Sequence, residues 1–501
     1  MNVLIEYCGT VRSIKINHSI KLSEAIRAAD LEFSMPCAGK GKCGKCRVRA
    51  RGALSEITRE EKEMLGNDAG DDIRLACMCY AVSDAYINID YEKGSVETDE
   101  YIRHFTLDPS TGFGISVDIG TTTLVAYLFD LNNGNKLGFV SALNPQGICG
   151  GDVISRIEAS LSGHTDELRE LITNVLNEMF TKLCCDAKLC LSDIKKCIIT
   201  GNTAMMYFLT GRDPRSISCA PFISEFLFGE NIAPEMLGLP DSTEIYLTKC
   251  VSAYIGGDIT SAATAVRLTE NESPVIITDI GTNGESMAYD GENIYCASAA
   301  AGPCFEGVGL SCGMMAKPGA VCKVWLEDNK VKFETVSGAK AVGFCGSGII
   351  DAVSVMLKTH VIDENGTFET DEKSFTLPGT DIYITQEDVR NIQLAKSAIC
   401  SSIETIMNAM GIDSFKHAYL AGGFGNNIDP ATAFEIGLLP KHFTDDIIRA
   451  GNAAGCGASY ILRSQSEKDY SISIAGSAHT LELPTNPFFA ERFIENMSFD
   501  N

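Results

Sequence analysis

Two stretches of the chain share one hydrophobic pattern. Residues 115–128 and residues 275–289 each run as an apolar strand to Asp-Ile-Gly-Thr, turn, and leave as a second strand. Each stretch predicts a β-hairpin. Asp118 is matched by Asp279, 161 residues later, which predicts an internal duplication rather than a short-period repeat. Helical periodicity at about residues 166–188 and 347–359 follows the two hairpins. Residues 1–92 read differently, as short strands with one or two helices. The pattern predicts a hairpin from residues 3–7 and 12–16, and a helix at 22–29 opened by Ser19 or Ser23. Further strands are expected at 47–50 and 85–89, and a helix at 58–65 with Thr58 and Glu61 as its capping box. Residues 93–112 are polar and carry Gly, Ser and Pro, so they read as a linker. The expected organisation is therefore 1–92, a linker at 93–112, and two halves of one body at 113–270 and 271–501.

Composition narrows this picture. The 501 residues are 45 % hydrophobic and 21 % charged, as in an ordinary globular protein. The net charge of −25 argues against nucleic acid as a partner. Residues 1–52 run the other way, with ten Lys/Arg against four Asp/Glu, and offer either a docking face for an acidic partner or a solvated basic surface. There is no secretory leader pattern and no apolar run long enough to span a membrane, so a cytoplasmic protein is expected. Twenty cysteines are then reduced thiols. Cys197, Cys250, Cys296 and Cys400 stand among apolar residues and read as small core side chains.

One cysteine group is different. Cys37, Cys43 and Cys46 form C-x5-C-x2-C in a Gly- and Lys-rich loop, and Cys77 follows in RLACMC. Four thiolates are what a [2Fe–2S] cluster takes, and Gly39, Gly41 and Gly44 let backbone N–H groups approach the sulfurs. The spacing resembles that of [2Fe–2S] ferredoxins of the plant and adrenodoxin sort. Cys79 is the alternative fourth ligand, and a zinc site on Cys43, Cys46, Cys77 and Cys79 is the alternative metal.

The two Asp-Ile-Gly-Thr turns carry a second chemistry. Gly120 with Thr121, Thr122 and Thr123, and Gly281 with Thr282 and Asn283, present N–H and hydroxyl donors to an oxyanion. Asp118 and Asp279 suit a hydrated Mg²⁺ bound through phosphate oxygens. A third segment, YLAGGFGNNI at 419–428, places Gly422, Gly423 and Gly425 after an apolar strand. It looks like the adenosine-binding turn of the superfamily of actin, sugar kinases and heat-shock chaperone ATPases. The small-residue stretches 252–266 and 451–458 resemble that superfamily's hinge helices, or simply allow close helix packing.

A ferredoxin-like part joined to an actin-like ATPase resembles the reductive activators of corrinoid proteins. The segments NPQGICGGDVISRI (144–157), ITGNTAMMYFLTG (199–211), SAAAGPCFEG (298–307) and GFCGSGIIDAV (343–353) extend the resemblance along nearly the whole chain. It implies an α+β β-grasp domain followed by an α/β, ribonuclease H-like duplicated ATPase. It also implies ATP-dependent, one-electron reduction of Co(II) to Co(I), with [2Fe–2S], ATP and Mg²⁺ as cofactors. The implied partners are a corrinoid protein and an upstream electron donor, with a homodimer as one possible assembly. Longer members carry an extra middle domain before the first phosphate loop, where this chain has about twenty residues. Three residues stay open. Asp152 and Asp258 either orient the hydrolytic water or cap helices, and Glu306 either touches a partner or a backbone amide. The rival functions are ATP-gated electron transfer to another partner and a redox-regulated small-molecule kinase.

Overall fold

The computed structural model describes residues 2–7, 10–16, 18–29, 41, 46–65, 72–89, 101, 103–369 and 373–499. The N-terminal part is a mixed sheet. Strand Asn2–Tyr7 pairs antiparallel with Thr10–Lys15 and parallel with Tyr80–Ile89. Arg47–Leu54 runs antiparallel to Tyr80–Ile89, and Ile73–Leu75 closes the edge. Val3, Ile5, Val48 and Ile87 point from this sheet into a core shared with Leu22 and Ile26 of the helix Leu22–Ala28.

That helix does not begin on a serine cap. Lys21 stands at its N-cap with no side-chain bond. The N–H groups of Leu22 and Ser23 donate instead to the carbonyls of Cys79 and Ala76, each at 2.9 Å. Backbone acceptors from the cysteine turn thus take the place of a capping hydroxyl. The second expected box is half formed. Thr58 accepts from the Glu61 N–H at 3.1 Å, but the Glu61 carboxylate turns away to Arg74 and the Leu75 N–H.

Two sheets with one strand order follow. In the first, Phe113–Ile119, Thr123–Asp130 and Lys136–Leu143 form an antiparallel meander; Ile194–Gly201 and then Glu244–Lys249 add parallel on the other side of Phe113–Ile119. In the second, Val275–Ile280, Gly284–Tyr289 and Ile294–Ala299 repeat the meander, and His417–Ala421 and Ile447–Gly451 repeat the parallel pair. The duplication read from the hairpins therefore extends to five strands of each sheet; the sixth differs, Phe228–Ile232 flanking Glu244–Lys249 in the first and Ala478–Thr480 flanking Ile294–Ala299 in the second. Cys197, Cys250, Cys296 and Cys400 are all fully buried, as expected of core side chains.

The helices Gly257–Ala265 and Ala453–Arg463 pack against each other between the two sheets. A Cβ on Gly457 would stand 1.8 Å from the Ser261 carbonyl oxygen, so the glycine is what permits the approach. The N-terminal domain rests on the first half of this body: Ile148 packs against its core, and Arg27 meets Glu167 at 3.6 Å. Residues 101 and 103–108 lie along the hinge. Tyr460 Oη donates to the Tyr101 carbonyl, and Arg103 donates to the carbonyls of Thr264 and Ala265 and to Glu467. Among the described residues, no helix is long and apolar enough to cross a membrane.

Candidate nucleotide cleft and cysteine site

Each phosphate loop is a strand end held shut by its own backbone. The Gly120 N–H donates to the Thr123 carbonyl, and the Gly281 N–H to the Asn283 carbonyl, both at 3.0 Å. The second loop is one residue shorter, because Ile119 pairs with Leu124 but Ile280 with Gly284. The outer side of the first loop is fixed by neighbours. Asn144 donates to the Gly120 carbonyl at 2.9 Å and, from its N–H, to the Thr122 carbonyl at 2.8 Å. Arg156 donates to the Thr121 carbonyl at 2.6 Å and the Gly150 carbonyl at 2.8 Å, and Asn202 reaches Thr121 Oγ1. These bonds engage the carbonyls of Gly120, Thr121 and Thr122.

The glycines of the third segment are not equivalent. Gly422 has φ +84°, and a Cβ there would stand 2.4 Å from Asp279 Oδ1, so this position demands glycine. Gly423 faces open space, and Gly425 lies at ordinary contact distance from Ile280.

Asp118 and Asp279 end equivalent strands and face the same cleft. Burial pushes Asp118 up to about 8, with Asp258 and Asp279 adding repulsion and Asn452 opposing it. Asp279 is pushed up to about 7 by burial, then by Asp258 and Glu306. Asp258 is pushed up to about 6 by burial, and it accepts from the Ile259 N–H. Glu285, directly across from Asp279 in the hairpin, is held well above the carboxylate range by burial and by Asp258, to which it is hydrogen-bonded. Its Oε1 is buried without a partner. Asp258 thus belongs to this carboxylate group. Asp152 is placed otherwise: it is the N-cap of the helix Val153–Ala159, in a reciprocal box with Ser155.

Glu306 stands between the loops. It accepts from Thr122 Oγ1 of the first and, at 2.7 Å, from Thr282 Oγ1 of the second. Arg156, Asn144, Glu285 and this placement of Glu306 were not legible in the sequence. Their partners lie far along the chain, and each motif reads equally well as a surface helix or a turn.

In the N-terminal domain, Cys46 Sγ and Cys77 Sγ lie 3.2 Å apart and buried. The Cys77 thiol is drawn down to about 7, first by Cys46, against the cost of burial, with the Gly41 N–H assisting. Cys79 is separate: it lies toward Ser55, and burial pushes it up to about 11. The strand leading into Cys77 is fixed by the two-pronged Arg74–Glu61 pair at 3.0 and 2.8 Å. Cys37 and Cys43 lie outside the described residues. Among the described residues, no three His, Cys, Asp or Glu side chains gather into a metal cage of protein ligands alone.

A duplicated sheet with two phosphate loops, a glycine turn and a small-residue hinge defines an actin-like ATP-binding protein. Two family models match: "RACo middle region" over residues 113–271 and "C-terminal domain of RACo the ASKHA domain" over 273–501. The corrinoid activation enzyme RamQ of Eubacterium limosum is 28 % identical, over 97 % of both chains. The [Co(II) methylated amine-specific corrinoid protein] reductase of Methanosarcina barkeri is 26 % identical, over 77 % of both. A solved reductive activator for a corrinoid, iron–sulfur protein superposes with a TM-score of 0.70 at 25 % identity, covering 99 % of this chain and 98 % of that one. The chain belongs to the family of reductive activators of corrinoid proteins.

Proposed function

We propose that this protein uses ATP to drive one-electron reduction of an inactive Co(II) corrinoid protein to Co(I) within a methyltransferase system. One observation carries the reading: a single chain of this family holds a closely paired, buried Cys46–Cys77 at one end and two matched phosphate loops at the other.

The cysteine site fits a [2Fe–2S] centre in its donor chemistry. Cys46 and Cys77 supply two soft ligands, and Cys37 and Cys43 complete four in the sequence. A zinc site using Cys79 fits less well, because Cys79 is turned toward Ser55. When bound, the cluster carries electrons singly, which matches a one-electron change at cobalt. Gly41 directs its N–H at Cys77, and Arg74–Glu61 fixes the approach of the ligand turn.

The cleft fits Mg²⁺ bound through phosphate and water. Its donors are hard carboxylate oxygens, and Glu285 Oε1 is buried and unanswered. Asp118 and Asp279 would hold the ion, and Thr121–Thr123 and Gly281–Asn283 the phosphates. Gly422, Gly423 and Gly425 would lie against adenosine. An upstream donor would supply the electron, and the basic segment 1–52 would offer it or the corrinoid protein a docking surface. If plant-type ferredoxins near about −400 mV are the guide, transfer to cobalt is uphill. A typical coupling of about 1–3 kcal/mol moves the balance by roughly 45–130 mV, so hydrolysis or a ligand change at cobalt supplies the remainder.

The test is optical. Reduced protein is mixed with Co(II) corrinoid proteins, with and without ATP. A Co(I) absorption that requires ATP is the expected result. Its absence with several corrinoid partners would overturn the reading, in favour of another electron acceptor.

A further inference from the structure

Glu306 is an acidic side chain that joins the two phosphate loops directly, and the reaction above leaves it without a task. One carboxylate oxygen takes the hydroxyl of Thr122, from the first loop, and the other takes that of Thr282, from the second. A polyphosphate bound by both loops must pass beside this carboxylate. Like charges repel there, so Glu306 cannot serve as a phosphate-binding group. What a fixed carboxylate beside a terminal phosphoryl group can do is hold a water and take its proton.

The local fold holds it for that purpose. Glu306 ends the short turn Pro303–Glu306, closed by Gly307 at φ +77°. A Cβ on Gly307 would stand 2.2 Å from the Met314 carbonyl oxygen, so this close approach requires glycine. Its neighbour Phe305 stacks on Phe424 of the glycine turn, with ring centroids 4.6 Å apart and planes 6° apart. The backbone that carries Glu306 is thus anchored on the glycine turn through Phe305, while its side chain is held by both phosphate loops.

We propose that Glu306 is a catalytic residue of ATP hydrolysis: held between Thr122 and Thr282, its carboxylate accepts a proton from the water that attacks the γ-phosphorus. The water oxygen bonds to Pγ, the bond from Pγ to the β-bridging oxygen breaks, and ADP leaves. The proton passes from the water to Glu306 and then to phosphate or solvent. Asp152, spent on its helix cap, is not needed for this step.

The inference rests on the reading of the cleft as an ATP site, and the two are separated by measuring binding and hydrolysis independently. Glu306→Gln keeps a carbonyl oxygen to accept from one threonine hydroxyl and offers an amide N–H to the oxygen of the other, but cannot take the proton. The full-length variant is expected to melt like wild type and to bind a fluorescent ATP analogue at least as tightly. Its single-turnover hydrolysis is expected to fall about 10²- to 10⁴-fold, with KM little changed. Glu306→Asp, a shortened base, should restore part of the rate. Hydrolysis within about threefold of wild type would overturn the proposal, as would loss of nucleotide binding in Glu306→Gln, which would make Glu306 a brace between loops. Failure of the wild type to bind ATP would instead overturn the nucleotide-site reading.

Discussion

Asp118 and Asp279 are raised to about 8 and about 7 because burial and neighbouring carboxylates disfavour the charged form. In the unfolded chain the same groups titrate near about 3.9. Between those values the folded protein holds protons that the unfolded chain has released, so these groups lower stability progressively as pH rises. Without added nucleotide, the melting temperature is expected to fall from about pH 5 to about pH 8. Asp279→Asn should flatten part of that slope and be relatively stabilising at the alkaline end, while weakening Mg-ATP binding. Thermal melts across pH check this, and equal slopes in both proteins would contradict it. The thiols divide just as sharply. Cys77 touches Cys46, whereas Cys79 lies by Ser55. Cys77→Ser should abolish or strongly alter the visible absorption of a [2Fe–2S] centre, and Cys79→Ser should leave it unchanged. The reverse pattern would transfer the fourth ligand to Cys79.

At the scale of elements, the hinge depends on one missing methyl group. The Gly457 position faces the Ser261 carbonyl oxygen at a distance no Cβ tolerates. Gly457→Ala must push the helices Gly257–Ala265 and Ala453–Arg463 apart, and overpacking of this kind costs about 1–3 kcal/mol. A lowered melting temperature is expected, and an unchanged one would show that the helices part without cost. Strand and turn signals of this sort are local, which is why the hairpins at Asp118 and Asp279, the glycine turn and the hinge helices were legible along the chain. The helix start at Lys21 was not, because its first N–H groups find acceptors at Ala76 and Cys79, some fifty residues on. The same holds for Arg156, whose long-range bond to the Thr121 carbonyl no spacing rule anticipates. Glu306 is the extreme case: its chemistry is created only when the two halves meet across the cleft.

At the scale of the whole molecule, the duplication places equivalent loops on facing sheets, and the hinge helices join the halves beneath them. Closing such a cleft on a nucleotide moves one half against the other, with the least displacement near the pivot. The segment that links the N-terminal domain to the body is fastened at that pivot, through Tyr101 and Arg103 to both hinge helices and to Glu467. Eleven residues lie between Ile89, at the end of the last N-terminal strand, and Tyr101. Fully extended they span about 40 Å. The cysteine domain is therefore joined to the body at a post that stays nearly still while the two halves close. Its contacts with the body are intramolecular, so dilution of the protein does not weaken them.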